Sequence, residues 1–509
     1  MGIPSYFKNI ISDYNNILIQ EDLFNININN LFFDLNCLIH PACHGLTDEQ
    51  EMFDNIYNNM IKIINISNPS DLIYIAIDGV CPRSKIQQQR YRRFKSANEH
   101  KIWDTNAISP GTNFMNNLNT FLKNKFKDYP IKIVFNDSSI PGEGEHKIMQ
   151  YLKNNNNKDI NIVHGLDADL IMLSMIRDND IYLLRERTEY NIEGFDSEYV
   201  FLDINNLKKY LIKDIKKSFI RLSNRSIIND YIFLCFFIGN DFIQNSPSIN
   251  IRYKGLDYLL EIYNRLHEEY AGIYYLINDN KLDLNNFKIF INKLCIKENE
   301  KLQKILFIRD KQENKFKTTH KDIYNKYINN TLDNIDNDRL DEFYNHLPII
   351  DRRDEIKIFK NLDEYWHRRY YMFQIYNHHN YNPSYDDILE IEVNNICKNY
   401  LESIVWTTNY YFEDCLSWKW YYEHHFAPTM KDLNKYLLNI TDLNIINEDK
   451  KPLKSCEQLR LILPEKSLNL LPKNIKYMPD YYYPETFKTN YIMKRYNWEG
   501  HPILPEIII

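Results

Sequence analysis

"IKIVFNDSSIPGEGEHKIMQYL", residues 131–152, holds the reading of the fold in one segment. Its first part, "IKIVFND", is a short apolar run of the kind that makes a buried strand. Its last part, "HKIMQYL", has the spacing of an amphipathic helix. Between them stand Glu143 and Glu145, each preceded by a glycine. Helix capping explains one acid near a helix start. It does not explain two. The glycines permit sharp turns, so both carboxylates can point into one site.

The same apolar pattern recurs in "LFFDL" (31–35), "LIYIAID" (72–78) and "INIVHG" (160–165), with helix-length patterns between the runs. Strand–helix alternation predicts an α/β fold whose mostly parallel central sheet is flanked by helices on both faces. Ligands of such sheets bind beyond the carboxyl ends of the strands. That is where the acids fall. Asp34 ends the first run and Asp78 the second, and Asp167 and Asp169 of "HGLDADLIML" follow the fourth. Asp241 closes the apolar run of "FLCFFIGNDF". Seven carboxylates are therefore expected at element ends sharing one sheet edge.

Like charges crowded together repel unless a cation neutralises them. An oxygen-only ligand set favours Mg²⁺ or Mn²⁺ over Zn²⁺. Two such ions can generate a hydroxide nucleophile and clamp the leaving oxygen of a phosphodiester. A rival metal reading is "CLIHPACH", where Cys37, His40, Cys43 and His44 have short, zinc-like spacings. No second remote pair accompanies them, which argues against zinc.

"KIQQQRYRRFKSANEHK" starts seven residues after Asp78. On a helix, Lys85, Gln89, Arg92 and Arg93 share one face. Basic faces are ordinarily just solvated. This one begins beside a predicted metal ligand, and arginine forks match phosphate oxygens. A terminal phosphate, with more charge than a diester, gains most from such a face. His40 lies close after Asp34, and Trp418 and Trp420 lie in "SWKWYYEHHFAP". Aromatic faces stack on unpaired bases. Core packing is the competing reading of the tryptophans.

The rest of the chain sets bounds. It has 509 residues, 44% hydrophobic and 14% aromatic, a large globular composition. A net charge of −7 gives no global argument for nucleic acid, so any anion site is a local patch. Eight scattered cysteines without a CxxC read as reduced intracellular thiols. No apolar run is long enough to cross a bilayer. In "MGIPSY", Tyr6 stands where myristoylation wants Ser or Thr.

These motifs resemble the Xrn/Rat1-type 5′→3′ exoribonucleases. "FFDLNCLIHPACH", "IDGVCPRSKIQQQRYRRFKSA", "ISPGTNFM", "IPGEGEHKIM", "HGLDADLIML" and "IGNDF" stand in that family's order. So do "LSWKWYYEHHFAP", "EQLRLILP" and "WEGHPILPEI". The resemblance implies a FEN/PIN-like nuclease core with an aromatic-rich helical region packed on it. It divides the chain into 1–254, carrying the acidic site and the phosphate pocket, 255–360, a charged helical connector, and 361–509, completing the pocket. The activity implied is processive hydrolysis of 5′-monophosphorylated single-stranded RNA to 5′-mononucleotides, in mRNA decay.

On the family pattern, Asp34, Asp78, Glu143, Glu145, Asp167, Asp169 and Asp241 are the catalytic, metal-binding acids, with two Mg²⁺ or Mn²⁺. Lys85, Gln89, Arg92 and Arg93 bind the 5′-phosphate. His40 stacks on bases with Trp418 or Trp420. No basic nuclear-localisation block is evident, which favours the cytoplasm; a monomer with a decapping enzyme as partner and no membrane is expected. Cys37, Cys81 and Gln87 depart from the family's usual residues, and no zinc-knuckle insert or long C-terminal extension is found in these residues. The alternatives are a flap-endonuclease-like DNA nuclease and an inactive RNA-binding scaffold. The residues "GNDFIQNSPSINI" lack the glycine-punctuated duplex clamp of the former, and the full acid set argues against the latter.

Overall fold

The computed structural model describes residues 6–97, 102–155, 158–187, 197–332, 337–351, 353–377 and 386–506. Strands β1 (Leu18–Gln20), β2 (Asn30–Asp34), β3 (Leu72–Ala76), β4 (Lys132–Asn136), β5 (Ile160–His164), β6 (Asp180–Glu186) and β7 (Tyr199–Asp203) form one sheet. Its order is β1-β7-β6-β5-β2-β3-β4. The pairs from β6 to β4 are parallel, and β7 runs antiparallel to both β6 and β1.

Both faces of the sheet are covered, which is why β2 and β3 read as continuous apolar runs and not as alternation. Leu31, Phe33, Ile73 and Ile75 join one core with α2 (Asn36–Ala42), α3 (Glu49–Ser67) and α5 (Asn113–Lys125). Phe32, Tyr74 and Val163 face the other side, against α6 (Gly144–Asn154) and α7 (Ala168–Ile176). The fourth helix, α4 (Arg83–Ser96), leaves the sheet edge and buries Ile86 and Phe94 against Leu459 and Leu463 near the C-terminus.

The stretch 255–360 is helical, as its pattern predicts, but it is no solvated connector. Leu259, Ile262, Tyr263 and Leu266 of the helix Gly255–Glu269, and Phe287, Phe290, Ile291 and Leu294 of the helix Leu284–Thr319, belong to the same core as α6 and α7. Charged residues on the exposed faces conceal this in the sequence. The core continues into the helix Asp386–Phe412, where Tyr400, Trp406, Tyr410 and Tyr411 are buried.

The segment 488–506 lies over this assembly like a strap, held by cations. Arg90 donates to the carbonyls of Tyr482 (3.0 Å) and Pro505 (2.5 Å). Lys95 caps Trp498 and Gly500 at 2.6 and 2.9 Å. The fully buried Arg309 pairs with Glu355 at 2.7 Å and also donates to the carbonyls of Met493 and Lys494. Among the described residues no helix is long and apolar enough to cross a membrane.

Candidate active site

The seven acids come from seven positions at one sheet edge. Asp34 ends β2, and Asp78 follows β3 by two residues. Glu143 and Asp167 stand at the N-caps of α6 and α7, with Glu145 and Asp169 in the first turns. Asp241 follows the helix Asn224–Phe236. Neither Glu143 nor Asp167 caps its helix with its side chain. Asp48, Asp203 and Asp283 at other N-caps do. The site acids are turned away from the job their position normally gives them.

Local chemistry fixes that turn. Gly142 has φ +113°, a conformation that favours glycine. At Gly144 a Cβ would come within 2.6 Å of Asp34 Oδ1, so the approach of α6 to β2 requires the bare backbone. The Gly144 amide donates to Asp78 Oδ1 at 2.7 Å, and the Asp78 amide donates to Asn36 Oδ1 at 2.9 Å. Lys147 ties the start of α6 to the carbonyls of Ile77 (2.7 Å) and Asp137 (3.0 Å). Buried Arg185 of β6 donates to the carbonyls of Gly165, Leu166 and Asp167, setting the loop that carries Asp167 and Asp169.

Electrostatics show that the acids form one group. Burial, then Asp78 and Asp167, push Asp34 well above the usual carboxylate range. Burial and Glu143 raise Asp78. Burial raises Glu145 strongly, Glu143 and Asp169 adding to it against Lys85. Burial and Asp241 push Asp169 up to about 7. Lys85 is ion-paired with two of them: its Nζ lies 2.7 Å from Glu143 Oε2 and 2.8 Å from Asp241 Oδ2. Burial alone would discharge this lysine, but Asp241 and Glu143 outweigh it and keep it protonated.

The acid cluster fits divalent cations. Glu145 Oε2 and Asp169 Oδ1 are sealed from solvent without a hydrogen-bond donor among the described residues. Buried carboxylate oxygens without donors are what a hard cation takes up. Atoms of Glu143, Glu145 and His146 also come within 4.8 Å of one another. The residues Cys37, His40, Cys43 and His44 do not gather into a comparable group among the described residues. Instead the Cys37 thiol donates to the Asp34 carbonyl at 2.9 Å, and burial keeps it protonated.

The basic face of α4 is spread along the site. Lys85 is buried among the acids. Gln89 is half-buried, with an Oε1 that has no partner among the described residues. Arg93 donates to Ser109 Oγ (2.7 Å) and Asn106 Oδ1 (3.3 Å), while exposed Arg92 borders a cleft with Gln88, Asp241, His424 and His501. His40 is exposed on α2. Trp420 is fastened, its Nε1 donating to Glu402 Oε2 at 3.1 Å and its ring stacked 5.5 Å from Trp406. Trp418 lines a cavity behind α6.

Sequence reasoning missed the back wall of the site. Tyr410 donates to Glu143 Oε1 at 2.6 Å across 267 residues, and the His146 ring packs against its ring at 3.8 Å, tilted by 31°. Tyr411 stands beside it, its hydroxyl held protonated by burial and by the charges of Asp169 and Glu145. Tyr410→Phe removes a buried donor to a charged acceptor. The expected outcome is a loss of about 1.5–3 kcal/mol in urea denaturation; an unchanged midpoint would remove Tyr410 from the account of how Glu143 is held.

Fold and site together define an α/β protein that concentrates acids, with buried Lys85 among them, at the carboxyl edge of the parallel strands of a mixed sheet. Residues 1–102 and 98–187 match the family description "XRN 5′-3′ exonuclease N-terminus", and residues 222–344 and 350–507 match "Xrn1 helical domain". The chain belongs to the Xrn family of 5′→3′ exonucleases. It is 28% identical to human 5′-3′ exoribonuclease 1 over 587 residues, covering 100% of this chain and 33% of the relative. It is 25% identical to Arabidopsis thaliana 5′-3′ exoribonuclease 2 over 682 residues, covering 99% of this chain and 66% of the relative. The chain thus spans one third to just under two thirds of these relatives' length. Among solved structures, the catalytic core of Rad2 with a DNA substrate aligns over 66% of this chain and 83% of that one at 13% identity. Its TM-score is 0.34, too partial a likeness to carry an argument.

Proposed function

We propose that this chain is a 5′→3′ exoribonuclease. It acts processively on single-stranded RNA bearing a 5′-monophosphate, releases 5′-mononucleotides, and works in cytoplasmic mRNA decay as a monomer downstream of a decapping enzyme. The observation that carries this reading is the electrostatic interaction of seven acids, Asp34, Glu143, Glu145 and Asp169 of them buried, in one group from which a basic helix departs. Family membership supports it.

In this reading Lys85, Gln89, Arg92 and Arg93 receive the 5′-phosphate, and His40 with one tryptophan of "SWKW" stacks the first bases. Asp34, Asp78, Glu143, Glu145, Asp167, Asp169 and Asp241 hold two divalent cations, Mg²⁺ or Mn²⁺. When bound, the cations supply Lewis acidity at the scissile phosphate and offset the charge of the acids. Tyr410 and Tyr411 close the site from behind and keep Glu143 and Asp169 out of bulk water. Lys85 pairs with Glu143 and Asp241, so in this reading its shift toward the 5′-phosphate links phosphate arrival to the charge of the cluster.

Digestion of one RNA carrying a 5′-phosphate, a 5′-hydroxyl or a cap tests the reading. The expected products are mononucleotides, from the 5′-phosphate form alone. Equal rates on all three would sink the phosphate pocket, and internal oligonucleotides would favour an endonuclease.

A further inference from the structure

Behind the acid cluster, on the outer side of α6, lies a cavity of about 560 Å³. Pockets of about 300–1,000 Å³ take small organic ligands, and a lone phosphate is far too small to fill this one. Its inner wall is the pair His146 and Tyr410, whose hydroxyl holds Glu143, so cavity and acid cluster share a partition.

Three lining residues differ in chemistry. Arg177, just after α7, is half-buried, and its Nε is closed to solvent without a partner. No hydrogen bond or ion pair of its guanidinium is found among the described residues. The charges nearest to it are already engaged: Asp178 pairs with Arg225 at 2.9 Å. Glu413 is met by Lys153 at 3.4 Å and by Asn280 at 2.7 Å. Burial and Arg225 both work against its charge, so an incoming anion would relieve an unfavourable state. Trp418 offers an aromatic face on the same cavity. Asp414 is exposed there, with Oδ1 accepting from the Cys415 amide at 2.8 Å and its other oxygen available. A carboxylate is a common partner of ribose hydroxyls.

We infer that this cavity is a second, non-catalytic site for a nucleoside 5′-monophosphate. The phosphate meets Arg177, the base lies against Trp418 and the ribose hydroxyls face Asp414. The inference rests on the proposed function only in making the ligand the reaction's own product. Because Tyr410 is common to both sites, occupancy bears on how Glu143 is held, and accumulated product then acts on the enzyme that made it.

The test is calorimetric titration of AMP into the whole chain in EDTA, using Arg92→Ala protein so that the proposed 5′-phosphate pocket is disabled. One saturable AMP site is expected to remain. Adding Arg177→Ala should weaken it at least tenfold without changing the melting temperature, since the guanidinium has no hydrogen bond or ion pair among the described residues to lose. Inorganic phosphate and adenosine, each holding half of the contacts, should bind at least tenfold more weakly than AMP. Three results overturn the inference: no AMP binding by Arg92→Ala protein, binding unaffected by Arg177→Ala, or phosphate binding as tightly as AMP. None of them touches the RNA-digestion test, so the two readings fail separately.

Discussion

Asp169→Asn is expected to slow hydrolysis of 5′-phosphorylated RNA by roughly 10³-fold, the scale seen when a group that stabilises transition-state charge is removed. Yet it should leave the cation-free protein more stable than wild type. Both results follow from one arrangement. Asp169 is buried beside Asp241, with one oxygen lacking a donor among the described residues. In the absence of cations its charge is a burden on the fold. Burial and Asp241 raise it to about 7 from an ordinary 3.8. The folded protein therefore binds this proton more tightly than the unfolded chain. The stability it contributes is fully present below about pH 4 and is lost as pH rises through about 7. The asparagine form escapes that loss, a gain on the order of 1–4 kcal/mol above neutrality. Urea denaturation in EDTA at pH 5 and pH 8 reads it directly. Wild type should weaken across the interval more than the variant, and Mg²⁺ should stabilise wild type selectively. Retained turnover, or a variant less stable at pH 8, would place Asp169 outside the cluster.

Arg309→Met is the largest expected loss of stability away from the acids. Arg309 and Glu355 are both buried, bonded through two guanidinium nitrogens at 2.7 and 3.1 Å. Arg309 also holds the carbonyls of Met493 and Lys494, and Glu355 accepts from the Met493 amide at 2.9 Å. Removing the cation takes away Glu355's buried guanidinium partner and the donor to the strap's carbonyls, with an expected loss of about 3–5 kcal/mol. The double change Arg309→Met with Glu355→Leu should recover much of it, because no lone charge remains. Denaturation measures the energies, and limited proteolysis should cut near residues 490–500 first in the single variant. A loss under about 1 kcal/mol would show that the pair does not anchor the strap.

The legible parts of the sequence were those with local periodicity. The runs at 31–35, 72–78, 131–137 and 160–165 fall on β2, β3, β4 and β5 within two residues at each end. Acids directly after such runs must lie at the carboxyl edge, so their convergence could be read before any coordinates. The strand β6 was not legible, because "DIYLLRE" starts and ends on charged residues and carries next to its end the very arginine, Arg185, that sets the Asp167 loop. Tyr410 and Tyr411 sit in an aromatic helix that reads simply as core, and nothing local ties them to acids more than 240 residues away. Lys85 read as one member of a basic face. Its place among the acids depends on the angle at which α4 leaves the sheet. The burial of the 255–360 helices was hidden by their charged outer faces.

The central claim is that seven acids at one sheet edge gather divalent cations around the 5′ end of an RNA. Crystals grown with Mn²⁺ and a short 5′-phosphorylated, non-hydrolysable oligonucleotide test it most directly, through anomalous difference maps at the manganese edge. The account predicts two peaks ligated by oxygens of Asp34, Asp78, Glu143, Glu145, Asp167, Asp169 and Asp241, with the 5′-phosphate on α4. Peaks elsewhere, or an empty cluster with Lys85 still bridging Glu143 and Asp241 beneath bound RNA, would contradict it.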